Sequence, residues 1–534
     1  MTEAMTQTPP VLHGPSDKEK KYDRQLRLWA ASGQAALESA NVLLVNSGGG
    51  TVGVETLKNL VLPGIGKFTI ADEAIVSEAD LGVNFFLDES CRGKSRGQCC
   101  THLLLELNPE VTGDWYPKTE SPLDLRQLLD SSDVFTIILY ALPLQADQVE
   151  LIKAYASKYH TPLVAVHSVG FYSYFDISLP GTFPVVDTHP DETATTDLRL
   201  LNPWPELSTF ADGMTKGIKN LDNHDHGHLP LVVILLHYLS VWKQTHDDAY
   251  PTTYTDKIAF RGFVADAMRK DNPEGGEENF EEAISAVMKL VTVSSVPSSL
   301  KQVFEHHDGR GEGSSQSSFW VIVEAVRQFY AKHQLLPVPG ALPDMKAQSN
   351  IYIQLQNIYK DKARRDAQEV LATARAMAGG DQVDPAEVEL FCTNARFIKL
   401  VNAVEGDEVG IQHVVEKELA DDQVAAIAGP EVPTSLIPIY LALSATSHVP
   451  TATAEDIVSS MTRQAPALVG NKKAAQVAQE VSRAAGGELH NISAITGGMV
   501  AQEVIKIVTK QYIPVDNTCI FDGIESRCQV LRLS

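Results

Sequence analysis

Asn41 to Gly53, NVLLVNSGGGTVG, decides how the rest of the chain is read. Asn41 to Asn46 centres on an unbroken aliphatic run, the pattern of a strand buried on both faces. Gly48-Gly49-Gly50-Thr51-Val52-Gly53 follows with G-x-G-x-x-G spacing and leads into a helix that runs to about Val61. Glycines at such a turn let backbone N–H groups approach a phosphate, and the helix N-terminus adds positive potential. Lys67 to Ala71 (KFTIA) reads as the second strand, and Asp72 ends it about 20 residues on, where an acid would take ribose hydroxyls. The spacing alone leaves two readings open. Gly48, Gly50, Gly53 and Asp72 are either nucleotide contacts or a tight crossover turn and an ordinary strand end.

Outward from this unit, strand and helix patterns alternate. Helical stretches at Ser95–Leu107, Leu123–Leu129 and Gln145–Lys158 interleave with strands at Asp133–Leu139 and Pro162–His167. Phe171–Leu179 alternates like an antiparallel addition. The pattern predicts an α/β fold with a parallel sheet covered by helices on both faces. Upstream, Tyr22, Leu26 and Trp29 form a helical stripe over Lys18–Trp29 that leaves Arg24 and Arg27 off it, and a short helix covers Gln34–Ser39. From about Leu198 to about Gly380 the chain reads as almost wholly helical, with loops at 272–282 and 308–318. Asp384-Pro385-Ala386-Glu387 reads as an N-cap, a first-turn proline and a capping box, after which mixed α/β character returns. The chain ends in a helix at Ser493–Thr509 and strands at Asn517–Phe521 and Gln529–Leu533. The division expected is a disordered tail 1–17, a first sheet part 18–180, a crossover 181–207, a helical insertion 208–384 and a second sheet part 385–534.

Composition narrows the function. The 534 residues are 44% hydrophobic and 21% charged, values of a globular chain rather than a disordered or fibrous one. A net charge of −24 argues against nucleic-acid or anionic-membrane partners. The six cysteines form no Cys-x-x-Cys pair, which points to a reducing compartment and away from a zinc knuckle. Met1–Ser16 lacks the apolar core of a signal peptide, and the apolar run Leu229–Trp242 falls short of the ~20 residues that span a bilayer, so it reads as a buried helix. His224-Asp225-His226-Gly227-His228 has chelating spacing but no second ligand set, and reads as a polar loop before that helix; no metal site is expected. The acidic stretch Glu274–Glu282 reads as solvated surface.

A resemblance enters with more of the chain. Lys21-Tyr22-Asp23-Arg24-Gln25-Leu26-Arg27-Leu28-Trp29, then Gly33-Gln34, the glycine turn, and Leu62-Pro63-Gly64-Ile65-Gly66 resemble the start of the ubiquitin-activating-enzyme (ThiF/MoeB-like) family. His490–Lys506 (HNISAITGGMVAQEVIK) and Tyr512–Asn517 resemble its end. Asp197–Leu200, Pro203–Leu207 and Leu355–Tyr359 resemble the non-thioester subunit of the heterodimeric neddylation (Rub) activating enzymes in particular. The SUMO-type counterpart resembles the ends but is shorter and lacks so large a helical insertion.

The resemblance implies a Rossmann-like adenylation fold split by the insertion, and its departures carry the functional expectation. The family's S-N-L-N-R-Q segment corresponds to Ala79–Asn84, with Asp80 at the first asparagine and Val83 at the arginine. The phosphate-binding lysine corresponds to Arg96, and no acid stands between Asp133 and Asp147 to hold magnesium. The chain would therefore carry no cofactor of its own, with Mg·ATP held by its partner. Gly48, Gly50, Gly53 and Asp72 would be a vestigial turn. The resemblance further implies that Arg24 reaches across the dimer to the partner's ATP site, with Arg27 a second candidate. The helical stretch Leu198–Gly380 contains no cysteine for a thioester. The implied partners are a cysteine-bearing catalytic subunit in an obligate heterodimer, the Nedd/Rub ubiquitin-like protein, and a conjugating enzyme through the complex, with a cytoplasmic and nuclear location. The rival readings are a SUMO-type subunit, an NAD-dependent Rossmann oxidoreductase, a self-sufficient homodimeric activating enzyme and a pure scaffold.

Overall fold

The computed structural model describes residues 14, 16–119, 121–191, 194, 196–270, 276–308, 317–401, 410–428, 434–449 and 451–533. Most of the tail expected at 1–17 lies outside them; Asp17 already opens a helix, Asp17–Lys21, closed by a reciprocal Ser16–Glu19 capping box. The strands are β1 (Asn41–Val45), β2 (Lys67–Ala71), β3 (Thr112–Tyr116), β4 (Ile137–Ala141), β5 (Leu163–Val169), β6 (Tyr172–Ser178), β7 (Phe183–Val186), β8 (Ile398–Val401), β9 (Thr518–Asp522) and β10 (Arg527–Leu531). The chain divides into two compact units: residues 1–183 with 401–534, and residues 184–400.

The first unit is built on an eight-stranded sheet in the order β10-β9-β6-β5-β4-β1-β2-β3. From β3 to β5 the strands are parallel, and β6, β9 and β10 are antiparallel. Val42, Leu43, Leu44 and Val45 of β1 are fully buried, as a central parallel strand covered on both faces requires. The edge strand β3 (TGDWY) escapes the sequence reading because it is only half-buried and carries no apolar run. The Thr51–Val61 helix packs along the His490–Thr509 helix. Gly497 permits this, since a Cβ there would lie 2.8 Å from the Thr56 amide nitrogen. By length and composition His490–Thr509 could cross a membrane, but 61% of that span is buried inside the unit.

The second unit is helical. Leu231–Leu236 and Leu239 of the Leu231–Thr245 helix are buried against Leu207, Phe260, Phe280, Leu355 and Tyr359. Each such side chain contributes about 1.5–3 kcal/mol on leaving water. Leu198, Leu200, Leu201 and Trp204 join the same core, so residues 184–207 of the expected crossover belong to this unit. Residues 385–400 do too: Val388, Phe391, Cys392 and Ile398 pack on Val370 and Ala374. The N-cap at Asp384 forms, its carboxylate accepting the Ala386 N–H at 2.9 Å with Pro385 in the first turn. Of the loops expected at 272–282 and 308–318, residues 272–275 and 309–316 lie outside the described residues. Glu278–Glu282 is helix, because Phe280, Ala283 and Val287 repeat at helical spacing into the core.

Candidate functional site

Gly48 (φ +59°) and Gly50 (φ +68°) hold the left-handed conformations that turn β1 into the Thr51–Val61 helix. Gly53 lets that helix settle on β1, since a Cβ would lie 2.6 Å from Asn46 Oδ1 and 2.9 Å from Leu44 Cδ1. Asp72 closes β2 beside this turn. The structure thus brings together Gly48, Gly50, Gly53 and Asp72, and adds side chains that fill the space between them.

The first is Arg96, the opening residue of the Arg96–Leu107 helix and almost wholly buried. Its Nε donates to Asp72 Oδ2 at 2.7 Å and its Nη2 to Asp72 Oδ1 at 3.2 Å. Its Nη1 reaches Asp80 Oδ1 at 2.9 Å and the carbonyls of Gly48 and Gly49 at 2.9 and 3.1 Å. Asn46 Nδ2 and the Ala74 N–H occupy Asp72 further, each at 2.9 Å. Burial works against the charge on Asp80, but the Ser77 hydroxyl and amide and the Arg96 guanidinium together hold its carboxyl below the usual range. Burial likewise opposes the Arg96 charge, and the two aspartates outweigh it and raise its pKa.

The second is Glu488, which the sequence reading missed. Its Oε2 accepts the Val52 N–H at 2.8 Å and the Ser493 hydroxyl at 2.6 Å. A Cβ on Gly49 would lie 3.0 Å from Glu488 Oε1. A carboxylate on the first-turn amides of a helix is where a phosphate would otherwise sit. Burial raises its pKa above the usual carboxylate value. No local pattern could have found it, because 436 residues separate the partners.

These residues do not fit a bound nucleotide. Ribose hydroxyls would have to displace Arg96 from both Asp72 oxygens, and a phosphate would have to displace Glu488. Val83 adds no cation beside them; its carbonyl accepts from the His490 ring, which stacks on Phe85 at 3.6 Å.

Arg24 lies apart from this cluster, on the exposed face of the Asp23–Ser39 helix. That helix breaks at Trp29 and Ala30 (φ 54°), where the sequence separates two helices. Tyr22 is buried; its hydroxyl donates to Glu110 at 3.0 Å, accepts from Asn108 at 3.1 Å, and fills the space a Gly64 Cβ would need. Trp29 is buried with its Nε1 donating to Gln34 Oε1 at 3.1 Å. These anchors turn Arg24 outward, and it makes no ion pair with any described residue. Arg27 pairs with Asp23 at 2.9 Å.

Five of the six thiols are buried, and Cys528 is exposed. Burial pushes the Cys100 thiol up to about 12 and Cys392, in the helical unit's core, well above its usual value. A hydrogen bond with Cys519 holds Cys528 below its usual value. The histidine-rich segment corrects the loop reading: Asn223–Gly227 is a short helix capped by Asp222, and His226 is buried with Nδ1 2.7 Å from Glu277 Oε1. Glu277 is therefore a core residue rather than solvated surface. Among the described residues no group of three or more His, Cys, Asp or Glu side chains could hold a metal ion.

A profile of the ThiF family matches residues 22–534. The NEDD8-activating enzyme E1 regulatory subunit of Xenopus laevis is 34% identical, over 95% of this chain and 97% of its own length. Its counterpart in Drosophila melanogaster is also 34% identical, over 97% and 98%. NEDD8-activating enzyme E1 regulatory subunit AXR1 of Arabidopsis thaliana is 32% identical, over 97% of each chain. The crystal structure of Escherichia coli MccB aligns at 18% identity and a TM-score of 0.27, over 35% of this chain and 51% of that one. With relatives this similar along their full length, the chain belongs to the ThiF family and, within it, to the NEDD8-activating enzyme E1 regulatory subunits.

Proposed function

We propose that this regulatory subunit of neddylation works as the non-catalytic half of a heterodimer, leaving nucleotide and thioester chemistry to a cysteine-bearing catalytic partner. The observation that carries this is the filled turn: Arg96 occupies Asp72 and Asp80, and Glu488 occupies the Val52 amide. Mg·ATP belongs to the partner. There the C-terminal carboxylate of the ubiquitin-like protein attacks the α-phosphate and pyrophosphate leaves; the partner's cysteine then attacks the acyl-adenylate carbonyl, forming the thioester and releasing AMP. This chain completes the assembly, walls the groove for the ubiquitin-like protein, and presents Arg24 to the partner's phosphates. An arginine supplied in trans stabilises charge on the transferring oxygens. The conjugating enzyme meets the assembled complex, in cytoplasm and nucleus.

The test is ATP–pyrophosphate exchange dependent on NEDD8. This chain alone gives none, and addition of a catalytic subunit restores it. Exchange by the isolated chain would overturn the proposal in favour of a self-sufficient enzyme.

A further inference from the structure

One face of the first unit's sheet carries a row of register partners that the adenylation chemistry does not use. Tyr140 of β4 pairs with Ala165 of β5, Ala165 with Asp176 of β6, and Asp176 with Thr518 of β9. Register partners point to the same face, with about 4.8 Å between strands. The small Ala165 stands between Tyr140 and Asp176 in this row. Beside the row lies a cavity of about 430 Å³, lined by Tyr140, Asp176 and Tyr440, with Lys153, Arg532 and Asp516 also on its wall. Its size lies within the range of small-molecule sites, about 300–1,000 Å³.

The polar groups in the cavity are under-used. Asp176 accepts from the Thr518 hydroxyl and has no Lys, Arg or His within 4.0 Å among the described residues. The Tyr140 and Tyr440 hydroxyls make no hydrogen bond to a described residue. The Tyr440 ring is held edge-on by Tyr174 at 4.9 Å. A carboxylate without a cation beside two phenol rings suits an ammonium group, which gains from the charge and from the ring faces. The wall cations suit the opposite charge: Lys153 and Arg532 are exposed and only loosely held, by Glu150 at 3.3 Å and Asp516 at 3.9 Å.

The geometry points to a binding site for a small amino-carboxylate zwitterion, its ammonium on Asp176 between Tyr140 and Tyr440 and its carboxylate on Lys153 and Arg532. The site is built on β4 and β6, includes neither Asp72 nor Glu488, and its ligand is independent of the nucleotide chemistry.

The probe is 6-aminohexanoate, titrated into the full chain at pH 8 and followed by ligand-observed NMR. Binding is expected at about 1 mM. Hexanoate and hexylammonium each carry one of the two charges and bind at least about fivefold more weakly, as loss of one charge-assisted contact implies. Asp176→Asn keeps the acceptor for Thr518 and folds, yet weakens binding about tenfold or more. Tyr440→Leu, on the covering helix, weakens it about threefold. No binding of 6-aminohexanoate up to roughly 50 mM, far above millimolar affinity, overturns the assignment. So does either single-charge control matching it, or unchanged binding by Asp176→Asn.

Discussion

Glu488 accepts the amide hydrogen of Val52 at 2.8 Å, so a side chain from the C-terminal part of the sequence seals the glycine turn after β1. The contact ties the two separated parts of the sheet unit together at the point where a nucleotide's phosphate would enter. On the proposed function it couples fold and chemistry: the charge that completes the unit would be the charge that keeps a phosphate out.

Removing that charge is expected to reopen an anion site at a cost in stability. Glu488→Ala leaves the Val52 N–H and the Ser493 hydroxyl without an acceptor and should destabilise the unit by about 1–3 kcal/mol. Glu488→Gln keeps an acceptor and should cost less. Urea unfolding with and without inorganic sulfate checks this. Sulfate should recover part of the loss in the alanine variant and leave the wild type unchanged.

Arg96 is the second lock. It is buried between Asp72 and Asp80, at 2.7 and 2.9 Å. Arg96→Met strands two carboxylates in a buried site, and the expected loss is about 3–5 kcal/mol. Adding Asp72→Asn and Asp80→Asn to the same chain should return a large part of it. Equal stability of the single and triple variants would show that the charges are not coupled.

Arg24 makes the opposite prediction, because it is exposed and unpaired among the described residues. Arg24→Ala should change unfolding free energy by no more than about 0.5 kcal/mol. With the catalytic subunit present, pyrophosphate exchange should fall on the order of 10²–10³-fold. Arg27→Ala, which breaks an exposed pair with Asp23, should leave exchange within a small factor. An undiminished rate in the Arg24 variant would favour the pure scaffold.

Asp176 gives a pH dependence with a definite sign. Burial raises its carboxyl to about 6, against the opposing Thr518 hydrogen bond. The folded chain thus holds this proton more tightly than the unfolded chain does. Its contribution is fully present below about pH 4 and is lost as the pH rises from there through about 6. Asp176→Asn should therefore be more stable than wild type at pH 7.5, by about 1–3 kcal/mol, and the two should converge near pH 4. Urea unfolding of both chains between pH 4 and 8 is the measurement.

Cys528 is the exposed thiol of the six, with Sγ 3.7 Å from Met499 Sδ. The native chain should take up about one equivalent of iodoacetamide quickly at pH 8, and Cys528→Ser should abolish that phase. Thioester transfer by the assembled enzyme should be unaffected by the same substitution.

Several of these residues are legible in the sequence alone. The aliphatic run at β1, the G-x-G-x-x-G turn and, apart from the edge strand β3, the alternation to β6 are local signals, and they survive folding as read. The stripe of Tyr22 and Trp29 placed Arg24 on the outer face for the same reason. That Val83 is no cation and that no acid stands between Asp133 and Asp147 are plain in the sequence, since identity alone decides them.

Tertiary structure decided what depends on partners far apart in the chain. The Glu488–Val52 contact and the Tyr140–Ala165–Asp176–Thr518 row exist only once β5, β6 and β9 are in register. Unit boundaries moved because Trp204 and Cys392 bury their side chains among helices that come later or earlier in sequence. Glu277 looked solvated because neighbouring acids surround it, and only the fold reveals the His226 that faces it. Periodicity fixes which face of a segment is apolar. Which distant segment covers that face is settled by packing and hydrogen-bond satisfaction across the whole unit.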